Sequence, residues 1–147
     1  MQGLAEPVEV CELVAVATLR RRLAVCFEQA LIALEHVPDS RTTTEQAIDL
    51  RLGLRTTLYV LGEAHERLLD HLRRAEPLAQ TLGDPRWLGR VYAEMGNNFW
   101  VVGEVDRAIG YGQRALALAA TLEHVGIQAR TQLGLGATSP RPGSCSS

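Results

Sequence analysis

The residues best able to hold a metal or to attack a substrate are four histidines, His36, His65, His71 and His124, and three cysteines, Cys11, Cys26 and Cys145. Their spacing assembles no site. A helical zinc site needs two ligands on one face, as the four-residue step of HExxH provides. His65 and His71 stand six residues apart and point in different directions on a helix. No CxxC occurs, and an odd number of cysteines argues against a disulfide framework. Cys11 and Cys26 are expected as buried thiols on helices, and Cys145 in a loose tail. No GxSxG elbow, no GxxxxGK[ST] phosphate loop and no nucleophile–base pair is present. Gly53, Gly110 and Gly112 fall inside helical patterns, where close helix packing is their expected role. Glu63 and Glu104 follow turn glycines and suit the N-terminus of the next helix. The expectation is a chain that is not an enzyme and carries no metal and no cofactor. The arginines offer more, because Arg51 and Arg55 lie one helical turn apart and present two guanidinium groups together.

The 147 residues suggest one domain, and 46% apolar with 22% charged residues is the balance of a chain that buries a core. Leu and Ala dominate and aromatics are few, which favours helix over sheet. A net charge of −2 gives no basic excess, so no nucleic acid partner is expected. No apolar run approaches the ~20 residues of a membrane span. The acidic N-terminus, with Glu6, Glu9 and Glu12, is unlike a signal peptide. The reading is a cytoplasmic protein with no membrane contact.

Helix punctuation divides the chain. Residues 36–40, HVPDS, break a first helical region, and Thr42 with Glu45 fits a capping box that opens the next helix. Ala47, Leu50, Leu54, Leu58 and Leu61 form its apolar stripe. After Gly62-Glu63 comes a second stripe, Leu68, Leu72, Ala75, Ala79 and Leu82, closed by Gly83 as a left-handed cap. Asp84 and Pro85 supply an N-cap and a first-turn proline. A helix over 85–102, a break at Gly103-Glu104 and a helix through Ala120 follow, with another from near His124 to about Gly134. Residues 7–37 lack a turn glycine and carry Arg20-Arg21-Arg22 where a helix pair would bend. That region is one long helix or an ill-defined pair. Residues 137–147, rich in Ser, Pro and Gly, are expected to be disordered.

The helical pattern repeats. Cys26, Ala30 and Ala33 share their steps with Leu68, Leu72 and Ala75, and with Ala108, Gly112 and Ala115. Ala33, Ala75 and Ala115 are 42 and 40 residues apart. The string Met95-Gly96, Phe99, Gly103-Glu104, Ala108, Ala115 resembles the tetratricopeptide repeat. In that resemblance Gly96 allows close helix approach, Phe99 fills the wedge between paired helices and Gly103 makes the turn. The period exceeds the usual ~34 residues, which implies longer helices or connections. The implied fold is all-α, a right-handed α-α superhelix over residues 7–136. This tetratricopeptide-like solenoid would hold about three helix pairs plus an unpaired last helix.

Four segments narrow the resemblance: FEQALIALEHVPDS, EQAIDLRLGLR, HLRRAEPLAQTLGDPRWLGRV and GEVDRAIGYGQRALALAATL. They look like the helical-repeat region of bacterial multidomain signalling ATPases, in which a nucleotide cyclase and an AAA-type ATPase precede a tetratricopeptide tail. The similarity spans about residues 25–136, and the motifs of the upstream modules are absent. It implies a protein-interaction or scaffold module, a fragment of a larger signalling ATPase or regulator. In such arrays the first helix of each pair lines the concave face. Arg90, Ala93, Asn97 and Trp100 match its inward positions, and Asn97 matches an asparagine that bonds a peptide backbone. With Arg51 and Arg55 they would form a groove for an acidic or C-terminal peptide. The alternatives are a structural or oligomerising segment, and a small-ligand sensor with a pocket lined by Arg51, Arg55 and Trp100. An uncovered stripe of Val125, Ile127, Leu133 and Leu135 on the last helix suggests weak self-association through that helix.

Overall fold

The absence of glycine from residues 8–34 lets one uninterrupted helix form there, α1 (Pro7–Leu34). The computed structural model describes residues 7–138; of Ile127 and residues 130–138 it describes the backbone alone. Four further helices follow, α2 (Arg41–Val60), α3 (His65–Leu82), α4 (Pro85–Val101) and α5 (Val105–Thr138). The described residues contain no strand.

Sequence chemistry accounts for the ends of the helices. Ser40 caps α2: its hydroxyl accepts from the Thr43 N–H while the Thr43 hydroxyl accepts from the Ser40 N–H. The capping box thus begins two residues before the expected Thr42, with threonine in the place of the reciprocating glutamate. Gly62 and Gly103 end α2 and α4 in the same way, with φ of +76° and +84°. At the first, Gly62 N–H donates to Tyr59 and Glu63 N–H to Leu58; at the second, Gly103 donates to Trp100 and Glu104 to Phe99. Both are Schellman closures, which need a left-handed residue that glycine adopts without strain. Gly83, at φ +64°, closes α3, and Asp84 and Pro85 open α4 as cap and first-turn proline.

One expectation about the helices is corrected, and one pair of alternatives is decided in favour of a single long helix. Residues 105–138 form one helix, with no break before His124. The segment Thr121-Leu122-Glu123 holds neither glycine nor proline, so nothing interrupts the hydrogen-bond ladder. Residues 7–34 likewise form one helix. The described residues therefore give two pairs, α2–α3 and α4–α5, with α1 laid on α2, in place of three pairs and an extra helix. Helix α5 also runs two residues past the expected boundary at 136; the rest of the expected disordered tail lies outside the described residues.

Each helix packs on the next in sequence, and α2 also touches α4. Helix α2 is enclosed on several sides. Its Leu54 and Leu58 join Ala24 of α1 and Leu68 of α3 in one cluster. Its Ile48 and Leu52 join a larger cluster with Leu72 and Ala75 of α3, Met95 and Phe99 of α4 and Ala108 of α5. Each such Leu or Ile contributes about 1.5–3 kcal/mol by leaving water. Helix α1 packs through Ala24, Phe27 and Leu31. Ala33 is exposed, two residues and about 200° around the helix from Leu31. The Ala33-to-Ala75 spacing therefore does not mark equivalent packing positions. Ala75 is fully buried and Ala115 half-buried. Cys11 and Cys26 are exposed, against the expectation of buried thiols.

Candidate interaction surfaces

Helix α4, like α2, meets three others: α2, α3 and α5. Its approach to α5 is set by Gly96. A methyl group there would stand 3.3 Å from the Ala108 carbonyl oxygen and 3.4 Å from the Gly112 nitrogen, both backbone atoms. Phe99 stacks on Tyr111 at 5.5 Å between ring centroids, and Ala108 closes the same contact beyond the Gly103 turn. At Gly53 the ring of Phe27 would lie 3.0 Å from an added methyl, so this glycine admits α1. Gly110 and Gly112 have open space where a side chain would stand, which corrects their expected role in close packing.

The expected arginine groove does not assemble, because its members are buried or line different hollows. Arg55 is buried between α2 and α4, where its Nη1 donates to Glu94 at 2.5 Å and its guanidinium lies 5.4 Å from the Tyr59 ring centre. Arg90 is exposed, bonded to Asp49 at 3.1 Å and placed over Trp87. It lines a groove of about 490 Å³ among α1, α2 and α4 with Phe27, Gly53 and Glu94. Arg51 lines another hollow, between α2 and the end of α1, with Glu35 and Asp39. Burial first, then the Arg74 charge, lowers its pKa. Trp100 lies elsewhere, on the α4–α5 side. Arg51, Arg55 and Trp100 thus line no common pocket, and the alternative of a sensor site built from these three loses its lining. The partners Glu94 and Asp49 were invisible to spacing rules, because each lies 39 or 41 residues from its arginine.

Asn97 and Trp100 do share a surface. They line an α4–α5 groove of about 430 Å³ with Ala93, Gly96, Ile109 and Leu116. Trp100 is 64% exposed, Ile109 50% and Leu116 71%. The lining carries no charged side chain. Ile127, Leu133 and Leu135, expected in the self-association stripe, have side chains outside the described set; Val125, expected with them, is exposed.

Comparison with protein-family models, with curated proteins and with solved structures gives no match.

The titratable groups are spread out. Among the described residues no three His, Cys, Asp or Glu side chains converge as metal ligands, and no helix is long and apolar enough to cross a membrane. His65 lies against Tyr59 and His124 against Gln128. His71 is half-buried, and burial, then the Arg51 charge, lowers its pKa. Asp84 is drawn down to about 2 by hydrogen bonds from the Arg86 side chain and backbone. Glu63 and Glu104 pair with Arg67 and Arg107 in the first turns that follow them.

Proposed function

We propose that the chain is a protein-interaction module of the tetratricopeptide-like kind, which takes an amphipathic helix of a protein partner into the α4–α5 groove. The observation that carries this is the exposed Trp100 beside Ile109 and Leu116, above an uncharged floor of Ala93, Gly96 and Asn97. Tryptophan is a frequent binding hot spot, and apolar side chains around a polar amide suit a helix laid in a groove. Covering a few hundred Å² at about 25 cal/mol per Å² offers several kcal/mol before the entropic cost of association. Asn97 is free to bond the partner's backbone or a polar side chain. The resemblance to the repeat regions of bacterial signalling ATPases supports a place within a larger regulator. The role is non-catalytic.

A library of amphipathic helices displayed and selected on the full chain tests this. Selected binders should lose at least tenfold affinity on Trp100→Ala and keep their affinity on Arg86→Gln. Binders indifferent to Trp100→Ala would refute the groove.

A second reading, self-association, is favoured by the exposed Val8, Leu13, Val14 and Leu19 on α1 and Leu116 and Val125 on α5. Sedimentation velocity over a hundredfold concentration range should then show a growing dimer fraction that Leu116→Lys abolishes. A monomer throughout would remove this reading and leave the partner helix.

A further inference from the structure

On another side of α5 the structure assembles a basic notch that the groove reading does not use. Arg107, Gly110, Tyr111 and Arg114 occupy one face of α5 at steps of three and four residues. With Arg73 of α3 and Phe99 of α4 they line a hollow of about 350 Å³. Three of its six lining residues are arginines and none is acidic. The floor is aromatic. Arg107 lies 5.4 Å from the Phe99 ring centre, and Arg114 lies 5.2 Å from that of Tyr111 and 5.9 Å from that of Tyr92. Gly110 opens the notch, since nothing lies within 4 Å of where its side chain would begin.

The arginines are available. Arg114 makes no ion pair among the described residues. Arg73 and Arg107 pair with Glu66 and Glu104, whose side chains are 79% and 49% exposed. Such pairs are weak and exchange readily for a stronger anion. Three arginines lining one hollow offer more donors than a carboxylate can use, and suit the several oxygens of a dianion. The guanidinium planes of Arg107 and Arg114 lie over aromatic rings on one side and are exposed, and an outer guanidinium face stacks well on a planar ring.

We propose that this notch binds a phosphate monoester whose molecule also carries a planar aromatic ring. Two sources share that chemistry, a nucleoside monophosphate and a phosphotyrosine side chain.

Calorimetric titration of the full chain with phenyl phosphate tests it, beside inorganic phosphate and phenol. Phenyl phosphate should bind saturably and at least tenfold more tightly than either fragment. Arg114→Gln should weaken it at least tenfold, and Arg86→Gln, whose guanidinium is held by Asp84, should not. Gly110→Leu should block the notch while leaving the helical circular dichroism intact. No saturable binding, or equal binding in Arg114→Gln or Gly110→Leu, would overturn the proposal. Adenosine monophosphate and a phosphotyrosine peptide then separate the sources: the one that exceeds phenyl phosphate is the physiological chemistry, and failure of both to exceed it would also overturn the assignment.

Discussion

Arg55 shows how a side chain suited to binding is used for architecture instead. Its 3% exposure leaves it no role at a groove, and its charge is held inside by Glu94. Removing one partner of such a pair strands the other, whereas removing both charges does not. Glu94→Ala is expected to cost about 2–3 kcal/mol, and the double variant Arg55→Met with Glu94→Gln clearly less. Urea unfolding of the two variants decides this; equal losses would mean that Arg55 is solvated. His71 gives a pH signature. Burial and the positive charges of Arg51, Arg67 and Arg74 hold its pKa below the ordinary 6.5, against the opposing pull of Asp70. The unfolded chain then binds the proton first, so this contribution is complete above pH 6.5 and is lost as pH falls below it. The urea midpoint of the native chain should drop more than that of His71→Gln between pH 7.5 and 5, and parallel curves would show His71 unperturbed. Little of this was readable in advance. Spacing rules put Arg51 and Arg55 on one helix but say nothing of Glu94 on another.

Helices were the most readable feature, because their ends are local chemistry. Gly62, Gly83 and Gly103 adopt positive φ where a stop was expected, and Asp84-Pro85 opens α4 as written. The stripe Leu68, Leu72, Ala75 and Ala79 is fully buried. On α2 the stripe rule saw only one side. Ile48 and Leu52 are also buried, because α2 has neighbours on several sides, and a single stripe describes a helix with one buried face. The supposed break before His124 failed for want of any breaking residue. The α4–α5 pair offers a contrast between two glycines. Gly96→Ala places a methyl in tight contact, at 3.3 Å, with backbone of α5 that must shift to admit it, and should destabilise by about 1 kcal/mol. Gly112→Ala meets nothing and should stabilise by about 0.5–1 kcal/mol, the usual gain over glycine in a helix. Thermal unfolding of both variants checks the helix register, and a stabilising Gly96→Ala would show that the helices are farther apart than described.

The assembled chain is a succession of helices in which each buries its neighbour and the two long outer helices, α1 and α5, keep apolar side chains in solvent. This arrangement makes a binding role economical to explain: the groove is the surface that an added helix would cover. The all-α character followed from composition and periodicity, but the location of the groove did not. Periodicity marks which residues are apolar, whereas exposure of Trp100, Ile109 and Leu116 depends on what else the chain brings to α4 and α5. The direct measurement is the environment of Trp100 in the Trp87→Phe chain, which leaves one tryptophan as reporter. Free protein should emit at the long wavelength of a solvated indole and be quenched freely by acrylamide. Addition of a selected amphipathic helix should shift the emission to shorter wavelength and protect it. A blue-shifted, protected Trp100 in the free monomer, or an unchanged spectrum in the complex, would contradict the account.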